Sequence, residues 1–96
     1  MSKLFLTAKI RAKNGCLEAM LIEAKKLIEP TRKEEGCLVY ELLSSSEDGD
    51  VYMFYEVWAS EEDLQRHTKS PHFMHFLAVK DDCIEDLQLE RWSFVN

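Results

Sequence analysis

The spacing of apolar residues in this chain changes from two to 3.6 and back to two, and does so twice. No other feature narrows the possible folds so far. A period of two marks a strand with one buried face, and 3.6 marks a helix with one buried stripe. Leu4, Leu6, Ala8 and Ile10 alternate with Phe5, Thr7, Lys9 and Arg11, which predicts a strand over residues 3–12. Asn14-Gly15 supplies a turn, with Asn14 as the helix cap. Leu17, Met20, Leu21, Ala24, Leu27 and Ile28 then form one helical stripe, which Pro30 breaks or kinks in its last turns. Gly36 ends the segment, and a second strand runs from Cys37 to Leu43.

The second half repeats the order. Residues 44–50, SSSEDGD, form a hairpin connection rich in turn formers, and Val51 to Trp58 is the third strand. Ser60 with Asp63 three residues later makes the acidic form of a capping box, predicting a short helix from Glu61 to about Lys69. Ser70-Pro71 starts another helix, with Ser as cap and Pro at its first position. Phe73, Phe76 and Leu77 face inward on it, and Asp81 and Asp82 oppose the dipole and mark its end. Leu87, Leu89, Trp92 and Phe94 mark a last strand, residues 86–95. The order β-α-β, β-α-β predicts an α+β fold of the ferredoxin-like, split βαβ kind: one domain over residues 1–96, an antiparallel sheet with helices on one face.

Such a sheet has a second face. In the third strand Val51, Met53, Tyr55 and Val57 lie on one side, and Tyr52, Phe54, Glu56 and Trp58 on the other. Both sides are largely apolar, and helices cover only one. A second copy of the chain is the economical cover for the rest, which predicts a homodimer.

Composition excludes several classes of function. The chain has 96 residues and a net charge of −6, with scattered basic residues, so no basic face exists for nucleic acid. Its apolar runs fall far short of the ~20 residues a membrane span requires, and the N-terminus lacks the apolar core of a signal peptide. Three widely spaced cysteines, Cys16, Cys37 and Cys83, without a CxxC pair, argue against a disulfide framework or structural zinc and for a reducing cytoplasm.

PTRKEEGCLVYEL (30–42), FYEVW (54–58) and HTKSPHF (67–73), behind the first strand and at these spacings, resemble the antibiotic biosynthesis monooxygenase (ABM) domain family, especially its small quinol monooxygenases. The resemblance spans nearly the whole chain. It implies a dimeric α+β barrel, two ferredoxin-like sheets packed together. It also implies oxidation of quinol-like or polyphenolic aromatic compounds by O2, with no metal, flavin or other cofactor. Other branches of the family degrade haem, or isomerise or cleave a phosphorylated signalling metabolite. The haem branch has a tryptophan where this chain has His67, an iron-ligating histidine where it has Leu77, and a first-strand asparagine that residues 3–12 lack. The phosphate branch would need a cation, for which Arg32 is the candidate. A non-catalytic small-molecule-binding dimer is the remaining alternative.

The resemblance sets His67 beside the pocket, as a general base or hydrogen-bond donor to a phenolic substrate, against a plainer reading as a helix histidine at the core's edge. His72, in the first turn of its helix, is a second proton acceptor or a packing residue, since the dipole there favours the neutral ring. His75 lies three residues further on, but a metal pair with His72 lacks a third ligand, and no metal is expected. Glu56, between Phe54 and Trp58 on one strand face, needs a partner. That partner is an Arg or Lys, across the dimer if need be; the alternative is a proton acceptor with a raised pKa. Trp58, Tyr40, Tyr55, Phe73 and Phe76 are the aromatic walls of a substrate site or else core. Cys37 reads as a small buried apolar residue rather than a reactive thiol.

Overall fold

The computed structural model describes residues 3–95. β1 (Leu4–Ala12) is followed by α1 (Leu17–Lys25), α2 (Ile28–Arg32) and β2 (Cys37–Ser44), then β3 (Val51–Trp58), α3 (Glu61–His67), α4 (Pro71–Cys83) and β4 (Ile84–Trp92). The four strands form one antiparallel sheet in the order β2-β3-β1-β4. β1 and β3 are its central pair, and each half of the chain leaves a central strand and returns to an edge. This is the ferredoxin-like split βαβ architecture expected from the sequence.

Register assigns the two faces. Leu6 lies opposite Glu56 and Ala8 opposite both Phe54 and Leu89, so these residues share one face with Ile10, Tyr40 and Trp58. Helices cover this face: Met20, Ala24, Leu27, Leu64 and Phe76 pack into one core with Ile10, Phe54 and Trp58. On the reverse face Val39, Val57, Phe5 and Trp92 stand in one row across the strands, and Leu43 and Met53 in another. Among the described residues no helix lies on that row; Phe94, beyond β4, folds back edge-on to Phe5 at 5.0 Å between ring centroids. Trp92 and Phe94 remain 54% and 76% exposed, which is unusual for residues so large.

Local chemistry explains most boundaries. The first helix breaks at Lys26–Leu27, before Pro30 rather than at it. The proline ring collides with the carbonyl four residues back, here Lys26, so the break falls one turn early. Ser60 Oγ accepts the Asp63 amide at 3.2 Å and Ser70 Oγ that of Phe73 at 3.3 Å, capping α3 and α4 as expected. Asn14 is not a cap: it stays in the turn, and Cys16 occupies the N-cap without a side-chain bond. α4 runs past Asp81 and Asp82 to Cys83, and β4 starts at Ile84 instead of 86. Cys83 and Ile84 are buried in the core. Their burial outweighs two exposed carboxylates, which near a helix end cost well under about 1 kcal/mol each. Among the described residues no helix is long and apolar enough to cross a membrane.

Candidate functional site

Between the helix-facing side of the sheet and α3 and α4 lies a cavity of about 510 Å³, walled mostly by apolar groups such as Leu6, Ile10, Phe54 and Phe76. That is the size of a one- or two-ring aromatic guest rather than a macromolecule. Few polar groups reach it: His67 and Glu56 from its walls, and Gln65, Thr68, Lys80 and Arg91 from the helices and the edge strand.

His67 owes its setting to a distant turn. The chain turns between α2 and β2 through Gly36, at φ +88, a conformation side-chain-bearing residues avoid. A Cβ at Gly36 would overlap the carboxyl of Asp63, so only glycine lets α3 dock on this turn. The Gly36 carbonyl accepts the Ala59 amide at 2.8 Å, fixing the approach. The docking carries Glu34, two residues earlier, to the histidines. Its Oε2 lies 2.7 Å from His67 Nδ1 and 2.7 Å from His72 Nε2. The other nitrogen of His67, Nε2, makes no hydrogen bond to the described residues, and its ring lines the cavity. A carboxylate that accepts Nδ1–H fixes the tautomer and presents Nε2 as an acceptor, the arrangement of an oriented general base.

Aromatic rings enclose that imidazole. Trp58 stacks on it at 4.8 Å and 37°, Phe73 lies at 4.9 Å, and Tyr40 meets it edge-on at 5.9 Å. Burial holds the ring below the usual histidine range, and the Glu34 carboxylate opposes that shift only in part. The ring is therefore neutral at pH 7. Glu56 is displaced the other way: burial pushes its carboxyl up to about 7, against the indole donor of Trp58. Tyr40 is also shifted upward by burial and by Glu56, and stays a phenol.

The structure thus gathers His67, Glu56, Tyr40, Phe73 and Phe76 around one cavity. Trp58 is fully buried behind them, touching both titrating groups without lining the space: its Nε1–H donates to Glu56 Oε1 at 3.0 Å. Within the chain, among the described residues, that indole and not an Arg or Lys is the partner of Glu56. His72 stands outside the lining, on the far side of Glu34. Tyr55 is on the reverse face, beside Phe5, Thr7 and Trp92, so it does not share the cavity. Arg32 is also elsewhere, donating to the Tyr40 carbonyl at 3.0 Å and to Glu41 at 2.7 Å. Cys37 is half-buried and its thiol is pushed up to about 11, which keeps it protonated. Glu34 is the residue the sequence reading missed. Nothing local separates it from Glu35, and only the Gly36–Asp63 contact brings it to the histidines.

Known proteins share this arrangement of elements. Residues 4–79 match the model of a family described as "Antibiotic biosynthesis monooxygenase". A Bacillus subtilis protein named "Putative monooxygenase YcnE" is 32% identical over 73 residues, covering 76% of this chain and 77% of that one. A Synechocystis protein, sll1783, is 27% identical over 79 residues, and the match spans 82% of this chain but only 54% of that protein. The crystal structure of PA3566 from Pseudomonas aeruginosa superposes with a TM-score of 0.95 at 28% identity, over 100% of this chain and 97% of that one.

Proposed function

The chain belongs to the antibiotic biosynthesis monooxygenase family, and from that premise we propose that it oxidises a small quinol-like or polyphenolic substrate with O2, His67 serving as general base. One observation carries this reading: the imidazole on the wall of an apolar cavity, held at Nδ1 by Glu34 at 2.7 Å, a carboxylate that lies outside the lining. His67 Nε2 takes a proton from one phenolic hydroxyl. The phenolate so formed is the reductant. It passes electrons to O2, one oxygen atom enters the ring, the other leaves as water, and a hydroquinone becomes a hydroxyquinone. Neither flavin nor metal is required for that electron flow. Glu56, whose carboxyl titrates at about 7, donates in its acid form a hydrogen bond to the second substrate oxygen, where carbonyl character grows. Phe54, Phe73, Phe76 and Tyr40 hold the ring and keep the cavity dry. Glu34 and Trp58 act through His67 and Glu56 as positioning residues, and His72 through Glu34.

We also propose that the reverse face of the sheet pairs with a second copy, giving a homodimer that covers Trp92, Phe94 and Leu43. Large exposed apolar groups on an otherwise paired sheet call for such a cover.

Chelator-treated protein supplied with small hydroquinones should consume O2 and release a hydroxyquinone, and His67→Ala should lower the rate by about 10²-fold or more. Full activity in that variant would remove His67 from the mechanism. The rival, an isomerase or lyase of a phosphorylated metabolite, now rests on Lys80 and Arg91 in the lining instead of Arg32. Turnover of a phosphorylated carbonyl compound without O2 uptake would decide for it. Binding without turnover in any assay would identify a ligand-binding dimer.

A further inference from the structure

We infer that Glu34, His67 and His72 form a binding site for one first-row divalent transition-metal ion, of which zinc is the reference case. Their donor atoms, one carboxylate oxygen and two imidazole nitrogens, all lie within 4.8 Å of one another. Both nitrogens point at the same oxygen, Glu34 Oε2, at 2.7 Å each. Two imidazoles and a carboxylate are the protein ligands of many zinc sites that keep a fourth position open for water. Among the described residues no lysine or arginine pairs with Glu34, so its charge is available to a cation.

The three ligands come from three separate elements. Glu34 sits in the turn clamped by Gly36, His67 ends α3, and His72 opens α4. The histidines are five residues apart, across a helix break, which a search for i, i+3 or i, i+4 pairs passes over. His75, the i+3 partner of His72, instead contacts Glu23 at 3.1 Å and is half-exposed. The His67 side chain is only 2% exposed, whereas those of Glu34 and His72 are 17% and 20% exposed. Water can therefore reach the cluster from the Glu34–His72 side, away from the cavity. Metal–ligand distances of about 2.0–2.1 Å place tetrahedral donors about 3.3 Å apart. An entering ion would need Glu34 and His72 to open by roughly half an ångström, which two partly exposed side chains allow.

Occupancy would have a consequence inside the cavity. A neutral imidazole bound through Nδ1 must carry its proton on Nε2. The ion would thus move the His67 proton from the nitrogen facing Glu34 to the one facing the guest, and the acceptor would become a donor. The ring of His67 keeps its proton and only exchanges one tautomer for the other. Resting on the oxygenase reading, this makes the ion an inhibitor acting from behind the cavity wall.

Zn2+ titrated calorimetrically into chelator-stripped protein should bind at one ion per chain. Glu34→Gln and His72→Gln, both conservative, should each weaken it at least about tenfold, while His75→Ala and Cys16→Ser leave it unchanged. Co2+ should give visible bands without a thiolate transition, and 15N spectra should show the His67 proton moving to Nε2 on adding Zn2+. Absence of binding, binding indifferent to Glu34→Gln and His72→Gln, or a thiolate band would overturn the site. These readouts need no turnover. If zinc binds as described yet leaves oxygen uptake unaltered, the site stands and the role of His67 as base falls.

Discussion

Replacing Glu56 by Gln isolates the energetic consequence of burying an acid in an apolar cavity. Glu56 is 4% exposed and its one protein partner in the described residues is the Trp58 indole. Its carboxyl titrates at about 7 in the folded chain, against an ordinary value of 4.5. The folded state therefore holds a proton that the unfolded chain has released between those limits. Stability contributed by Glu56 is complete below pH 4.5 and is lost as pH rises to about 7, after which no more is lost. Two and a half units correspond to about 3 kcal/mol. Glutamine keeps an oxygen for Trp58 Nε1–H but cannot ionise. Its amide N–H groups face the cavity unpaired, a cost of about 1–3 kcal/mol that does not vary with pH.

The pH-dependent part of the difference is then the quantity to read. Urea unfolding of both proteins from pH 4.5 to 8.5, at one fixed protein concentration so that any contribution from the proposed assembly is held constant, should show Glu56→Gln gaining on the parent. The gain should be about 1.4 kcal/mol per unit between pH 5 and 6.5, level by pH 8, and near 3 kcal/mol in total. His67, held below its usual range by burial, pulls in the opposite direction at acid pH, but it is common to both proteins and cancels in the difference. A gap that stays constant across this range would refute the claim that Glu56 is stored as the acid.

Oxygen uptake should rise with pH along a limb set by neutral His67, centred below the ordinary histidine value. Because the Glu34 carboxylate raises that pKa, Glu34→Gln should lower the rate and move the limb to more acid pH, and a move upward would refute the pairing. Gly36→Ala should cost more than about 2 kcal/mol by urea unfolding, since it adds backbone strain at φ +88 and drives a methyl into Asp63. The same change at Gly15, which has open space around it, should cost only about 1 kcal/mol. Trp92→Glu should convert a dimer into a monomer in sedimentation experiments while leaving the fold intact by circular dichroism; an unchanged mass would place the interface elsewhere.

How far the site could be read in advance depended on whether a residue's position is set locally. The alternating strands were legible because each carries its own period, and the two capped helix starts because Ser60 and Ser70 announce them within three residues. The same period that divided the third strand into two faces also bears on the site. Tyr55 has the opposite parity to Glu56 on β3 and cannot share its face, and Trp58 has the same parity, which makes it the near partner that Glu56 found. The helix break ahead of Pro30 follows from ring sterics at Lys26. Glu34 was beyond reach of any such rule. Its role exists because a glycine at 36 and an aspartate at 63 fit against each other, and that complementarity is a property of the folded pair, invisible in either segment alone.

The two titrating groups of the cavity explain each other. An apolar enclosure penalises any charge, so it lowers the affinity of His67 for a proton and raises that of Glu56, driving their ordinary values of 6.5 and 4.5 past one another. Between those two shifted values, on the acid side of about 7, the cavity therefore offers one acceptor, the imidazole Nε2, and one donor, the carboxylic acid, with no net charge between them. A dihydroxy-aromatic guest presents two oxygens. One can lose its proton to the acceptor while the other receives a hydrogen bond from the acid, so the charge created by the first step is spread toward the second group. A neutral quinol and O2 also give up far less hydration on entering such a cavity than a charged guest would. A phosphorylated guest would bring two negative charges into an apolar enclosure and would have to lean on Lys80 and Arg91, which Asp81 and Glu61 already hold at 2.9 and 2.6 Å. The electrostatics of the enclosure thus support the proposed uncharged aromatic guest over a phosphorylated one on grounds independent of the shape of the cavity.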